Sequence, residues 1–180
     1  MKKFTQYVKE KEQKESKINN KQIQNVKHIA SECLSICGIP ANLKRLIEYY
    51  NLRILSIDMP LCVSGLVMPD PYQSRFVLVV NNRMNYYHRR FTIAHEMYHV
   101  ICRSEETVFN VGLFYDKSEE RQANIFAKEL LMPESAVRKI YEDGCRKIKE
   151  YCDFFRVSKA AMRIRLFKEL NYPDRDFSAF

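Results

Sequence analysis

Five consecutive residues, His95-Glu96-Met97-Tyr98-His99, have types and a spacing that can do chemistry. On a helix, His95 and His99 stand one turn apart on the same face, so both imidazoles can reach one metal ion. Glu96 lies about 100° further round the helix, where its carboxylate can reach a metal-held water without ligating the ion itself. Two neutral nitrogens to hold zinc and a carboxylate to take a proton are the parts that hydrolysis of a peptide bond needs. The competing reading is a plain amphipathic core helix, because Phe91, Ala94, Met97, Tyr98, Val100 and Ile101 suit a half-buried face. That reading leaves three polar side chains to be satisfied and gives them no role. A third ligand decides between the two.

A second helical pattern begins near Ser118 and supplies one. Glu120 shares a side with Ala123, Ala127 and Leu131, so it points inward, whereas Glu119 is turned about 100° toward solvent. A carboxylate aimed at a core needs a partner, and a metal ion is a good one. Taken alone, Glu120 reads better as a first-turn acid favoured by the helix dipole. Some twenty residues beyond the histidine pair, it completes a set of three ligands with the fourth position open, as catalytic zinc sites require.

The elements that must position these residues follow from periodicity. Val26, Ile29, Ala30, Cys33, Leu34 and Cys37 recur as one face of a helix that Gly38 stops and Pro40 keeps from resuming. Asn42 then caps a second helix whose inner side is Leu43, Leu46, Ile47 and Tyr50. Short β-like runs follow at 52–57, 63–68 and 75–80, and the turn Pro69-Asp70-Pro71-Tyr72 makes the last two an antiparallel hairpin. The histidine helix starts near Arg90, and after Pro133 three helices fill 134–143, 145–155 and 158–170. The last two resemble a helix-turn-helix pair with Val157-Ser158 as the cap. The expected fold class is α+β, a three-stranded, mainly antiparallel sheet packed on helices. The expected division is a basic polar tail over 1–25, a catalytic unit over 26–133 and a helical segment over 134–180.

Composition limits what the chain can be. At 180 residues, 46% of them apolar, it can build one packed domain with a small appendage. No apolar run is long enough to span a membrane, and the lysine-rich start lacks the apolar segment of a signal peptide, so the expected location is the cytosol. The six cysteines, with no C-x-x-C pair, read as reduced, buried small hydrophobes. Residues 1–27 hold eight lysines against three glutamates, so most of the net charge of +8 sits in the tail. Nucleic-acid binding is therefore weakly supported. The basic side chains Lys159, Arg163, Arg165 and Lys168 are read as the exposed, solvated face of a helical cap.

Arg90-Phe91-Thr92-Ile93-Ala94-His95-Glu96-x-x-His99, followed by Glu120-x-x-Ala123-Asn124-x-Phe126-Ala127-x-x-Leu130-Leu131-Met132-Pro133, resembles the ImmA/IrrE family of zinc metallopeptidases. Ser64-Gly65-Leu66 and Val79-Val80-Asn81 match that family's layout, so the likeness covers roughly residues 26–133. The resemblance implies a small zincin-like domain, one zinc ion held by His95, His99 and Glu120, and Glu96 as general base. It also implies a narrow substrate, a helix-turn-helix transcriptional repressor whose cleavage derepresses its genes. A non-catalytic module that holds a repressor or DNA on the same fold is the alternative. Two positions depart from the pattern: Tyr98 stands where the family usually has glycine, and Cys102-Arg103 where a further histidine is common. Tyr98 is expected to narrow the cleft. His88 and Tyr115 flank the site and are candidates to stabilise an oxyanion, a role left open.

Overall fold

The computed structural model describes residues 20–103 and 117–177. The tail through residue 19, the segment 104–116 and the candidate Tyr115 lie outside the described residues. The first helix, α1, runs Asn20–Cys37 and buries Val26, Ala30, Cys33 and Cys37. It ends at Gly38, whose φ of +76° is open to glycine and strained for other residues. The Gly38 amide caps the helix by donating to Leu34 O at 2.8 Å. Helix α2 (Leu43–Tyr49) follows, with Asn42 at its N-cap position but with no hydrogen bond from the Asn42 side chain.

Three strands come next: β1 (Arg53–Ile57), β2 (Gly65–Pro69) and β3 (Phe76–Asn81), in the spatial order β1-β3-β2. β2 and β3 form the expected antiparallel hairpin, with Gly65 opposite Val80 and Pro69 opposite Phe76. Asp70 shapes its turn, Oδ1 accepting from the Tyr72 amide and Oδ2 from Arg75 Nε. β1 pairs with β3 in parallel, Arg53 opposite Val77 and Ile57 opposite Asn81, so the sheet is mixed. Residue alternation cannot specify that direction; the crossover geometry does. The central strand is buried on both faces. Leu78 faces the main core, while Val77 and Val79 form a small second cluster with Met59.

On the helical side, α3 (Tyr86–Arg103) and α4 (Lys117–Leu131) pack together, and α4 also packs on α1. Then come α5 (Glu134–Glu142), α6 (Ile148–Phe155) and α7 (Lys159–Arg163), the last widening into π-helical turns over Ile164–Glu169. Ser158 caps α7 as expected, its hydroxyl accepting from the Ala161 amide at 3.2 Å. Arg156 takes the left-handed conformation that turns the chain between α6 and α7. A single cluster of buried residues runs from Val26 through α3 and α4 to Phe177.

Two expectations about side chains are corrected. Arg165 is not on a solvated face. It is 5% exposed, pairs with Glu129 at 2.8 Å and Glu169 at 2.9 Å, and donates to Met132 O. The wider turns after α7 rotate it inward, onto α4. The cysteines also divide: all six are free, and Cys33 and Cys37 are buried, but Cys62 and Cys102 are exposed. Cys62 falls in the loop before β2 and Cys102 in the last turn of α3.

Asn81, at the end of β3, is fully buried and organises the loop that leads into β2. Its Nδ2 donates to Met59 O, Pro60 O and Val63 O, and its Oδ1 accepts from the amides of Met59 and Arg83. Asn81→Ala would remove the side-chain partner of the Met59 amide and of Met59 O and Val63 O, while Pro60 O would keep the Val63 amide. The substitution should lower unfolding stability by about 2–4 kcal/mol in denaturant titration. Asn81→Ala with wild-type stability would show that the loop does not depend on this side chain.

Candidate metal centre

Helix α3 begins a turn earlier than its apolar pattern suggests. Asn85 Oδ1 accepts from the His88 amide at 3.0 Å, and this cap starts the helix at Tyr86. His88 therefore stands on the helix two turns before His95. Further along, His95 and His99 point their Nε2 atoms at one locus, 3.4 Å apart. α4 brings Glu120 to the same place, Oε2 at 3.3 Å from His95 Nε2 and Oε1 at 3.4 Å from His99 Nε2. The three donors lie within 4.8 Å of one another. Ligands about 2.0–2.1 Å from a tetrahedral ion sit about 3.3–3.4 Å apart, so both donor set and spacing fit zinc. Glu120 faces this locus and not the core. Its side chain stays 43% exposed, whereas Ala123, Ala127 and Leu131 on the same side of α4 are sealed.

Asn124, one turn after Glu120, lies 3.2 Å from His95 Nδ1 through its Oδ1. An acceptor there places the ring proton on Nδ1 and leaves the Nε2 lone pair free for a metal. The sequence contained Asn124 within its second motif but carried no sign of this role.

Glu96 is 7% exposed, and its Oε2 has no hydrogen-bond partner. Burial, and behind it the charge of Glu120, push its carboxyl up to about 7. A carboxylate this poorly solvated beside a cluster of donors is suited to exchanging a proton near neutral pH.

Tyr98 does not narrow the site. It is buried between α3 and α4, its ring against Phe126 and His99 and its hydroxyl donating to Gln122 Oε1 at 2.9 Å. The bulk of Tyr98 is absorbed by the helix interface, and Tyr98 is not among the residues lining the cleft.

The cleft itself holds about 400 Å³. His95, Glu96 and Glu120 form its polar end, Ser64, Gly65 and Leu66 one wall, and His88 and Phe91 the other end. Ser64 Oγ and His88 Nε2 are 2.8 Å apart across the mouth. β2 approaches α3 closely at Gly65. A Cβ there would overlap Thr92 Cγ2 and sit 2.9 Å from Val79 O.

The IrrE N-terminal-like domain model of Peptidase_M78 matches residues 47–167. The chain belongs to this family. The matched stretch contains His95, Glu96, His99 and Glu120 and all three strands. No curated protein matches this Peptidase_M78 chain. Among solved structures it is similar to a Mycobacterium tuberculosis transcriptional regulator, with a TM-score of 0.54 and 15% identity. That alignment covers 80% of this chain and 46% of the other, so the chain spans about half the length of that neighbour. At this identity the likeness concerns the fold. Among the described residues no helix is long and apolar enough to cross a membrane.

Gly65→Ala should push β2 off α3 and destabilise the protein by about 1–3 kcal/mol, the usual cost of overpacking. Thermal unfolding checks this, and an unchanged Tm would show that Thr92 yields freely.

Proposed function

We propose that this chain is a zinc-dependent endopeptidase acting on a protein substrate, a helix-turn-helix transcriptional repressor, whose cleavage releases the repressed genes. The observation that carries the reading is the convergence of His95, His99 and Glu120 beside a buried Glu96 with one oxygen free. The family supports a peptidase-type role, and a structural neighbour that is a transcriptional regulator is in keeping with a regulatory setting. A cytosolic location goes with such a substrate.

His95 Nε2, His99 Nε2 and a Glu120 oxygen would hold the ion, with Asn124 keeping the His95 ring in the required tautomer. Zinc supplies Lewis-acid polarisation of a carbonyl and lowers the pKa of water to about 7. The Glu96 carboxylate takes the proton from the attacking water and delivers it to the departing amine nitrogen as the C–N bond breaks. The low exposure of Glu96 keeps bulk water from competing for that proton. The wall formed by Ser64, Gly65 and Leu66 lines one side of the cleft against which an extended peptide would lie.

Purified protein should cut its cognate repressor when loaded with zinc and leave it intact after chelation. Glu96→Gln should retain zinc and lose about 10²–10⁴-fold in rate. Asn124→Ala should weaken zinc binding about 10–100-fold, read by competition with a fluorescent chelator. An uncut repressor with metal confirmed bound, or full-rate cutting by Glu96→Gln, would overturn the reading.

A further inference from the structure

A second cavity, of about 260 Å³, shares helix α3 with the metal cleft but none of its lining residues. Ser56 on β1, with Tyr86 and Arg89 at the start of α3, forms its rim. Leu43, Val80, Ile93 and Arg90 form the floor. Arg90 is the unusual member. It is 8% exposed, and its Nη2 donates to Ala41 O, but its Nε makes no hydrogen bond. Among the described residues no carboxylate pairs with it. The charged group that bears on it is Arg156, which repels, and the titratable side chains Tyr86 and Cys37 are also near. Arg89 adds a second guanidinium, of which one Nη1–H bond goes to Asn82 Oδ1 at 2.7 Å.

A guanidinium taken out of water without a counter-charge is unfavourable, and the group whose two oxygens match its fork is a carboxylate. The remaining walls, Leu43, Val80 and Ile93, offer nothing to a fully hydrated anion but suit an apolar body. We propose that this cavity binds a small organic carboxylate, its oxygens on Arg90 and Arg89 and its apolar part against Leu43, Val80 and Ile93. The site stands apart from the metal donors, so it does not depend on the peptidase reading.

Calorimetric titration of the full chain with benzoate tests this, with inorganic phosphate and benzyl alcohol as separate arms. Phosphate keeps the charge without the apolar body, and benzyl alcohol keeps the ring without the charge. The expected result is saturable one-to-one binding of benzoate, with the other two at least tenfold weaker. Arg90→Met should lower the benzoate affinity at least tenfold. Ser56→Phe, which plugs the exposed rim and leaves the metal cleft untouched, should do the same. If Arg90→Met does not fold, Ser56→Phe decides alone, since a benzoate held at the metal centre would survive it. Three results would overturn the proposal: no saturable binding up to about 10 mM, benzoate binding undiminished in a folded variant, or phosphate or benzyl alcohol matching benzoate.

Discussion

Two imidazole nitrogens and two oxygens of one carboxylate, gathered within 3.4 Å of their nearest partners, are the constraint around which this fold is arranged. His99 is almost fully buried and Glu96 nearly so, in a position where water cannot compensate for them. Such a cluster persists only if the elements bearing it are held rigidly. The packing of α3 against α4 does this, with Tyr98 and Phe126 filling the interface and the Tyr98–Gln122 hydrogen bond pinning it beside the candidate ligands. The departure from the family pattern at Tyr98 thus becomes part of the support for the site.

The sheet serves the same end from the other side. β3 is buried on both faces and acts as a fixed floor, and Asn81 at its end ties down the loop that precedes β2. That loop delivers Ser64 and Gly65 to the cleft wall. Gly65 is where backbone must approach helix, and the space left by its missing Cβ is taken up by Thr92. From Asn81 to Glu96 the chain of contacts is continuous, so the cleft wall and the Glu96 carboxylate are positioned by one piece of packing.

The C-terminal segment contributes through a buried ion network. Arg165 reaches across to Glu129 and Met132 O, and Lys128 pairs with Glu169, clasping the last helical turns onto α4. Arg165 is thereby committed to holding α4 and cannot contact a nucleic acid. Arg90 presents the opposite case, a buried cation that no carboxylate among the described residues answers. The two arginines differ in what the rest of the fold brings to them and not in their local sequence.

The candidate site was legible in the sequence because it depends on helical spacing. Histidines four apart share a face, Glu120 shares one with small apolar residues, and both relations survive whatever the rest of the chain does. The hairpin turn, the Gly38 stop and the Ser158 cap were legible for the same reason, each being a local backbone requirement. Tertiary structure decided what involves groups distant in sequence. It set the parallel pairing of β1, the place of Asn124 behind His95, the burial of Arg165, and the direction in which Tyr98 points. None of these has a local periodic signature, because each depends on which surface arrives from elsewhere in the chain. The candidate ligand set was thus a property of the sequence, and the convergence of its members on one point was a property of the packing of two helices.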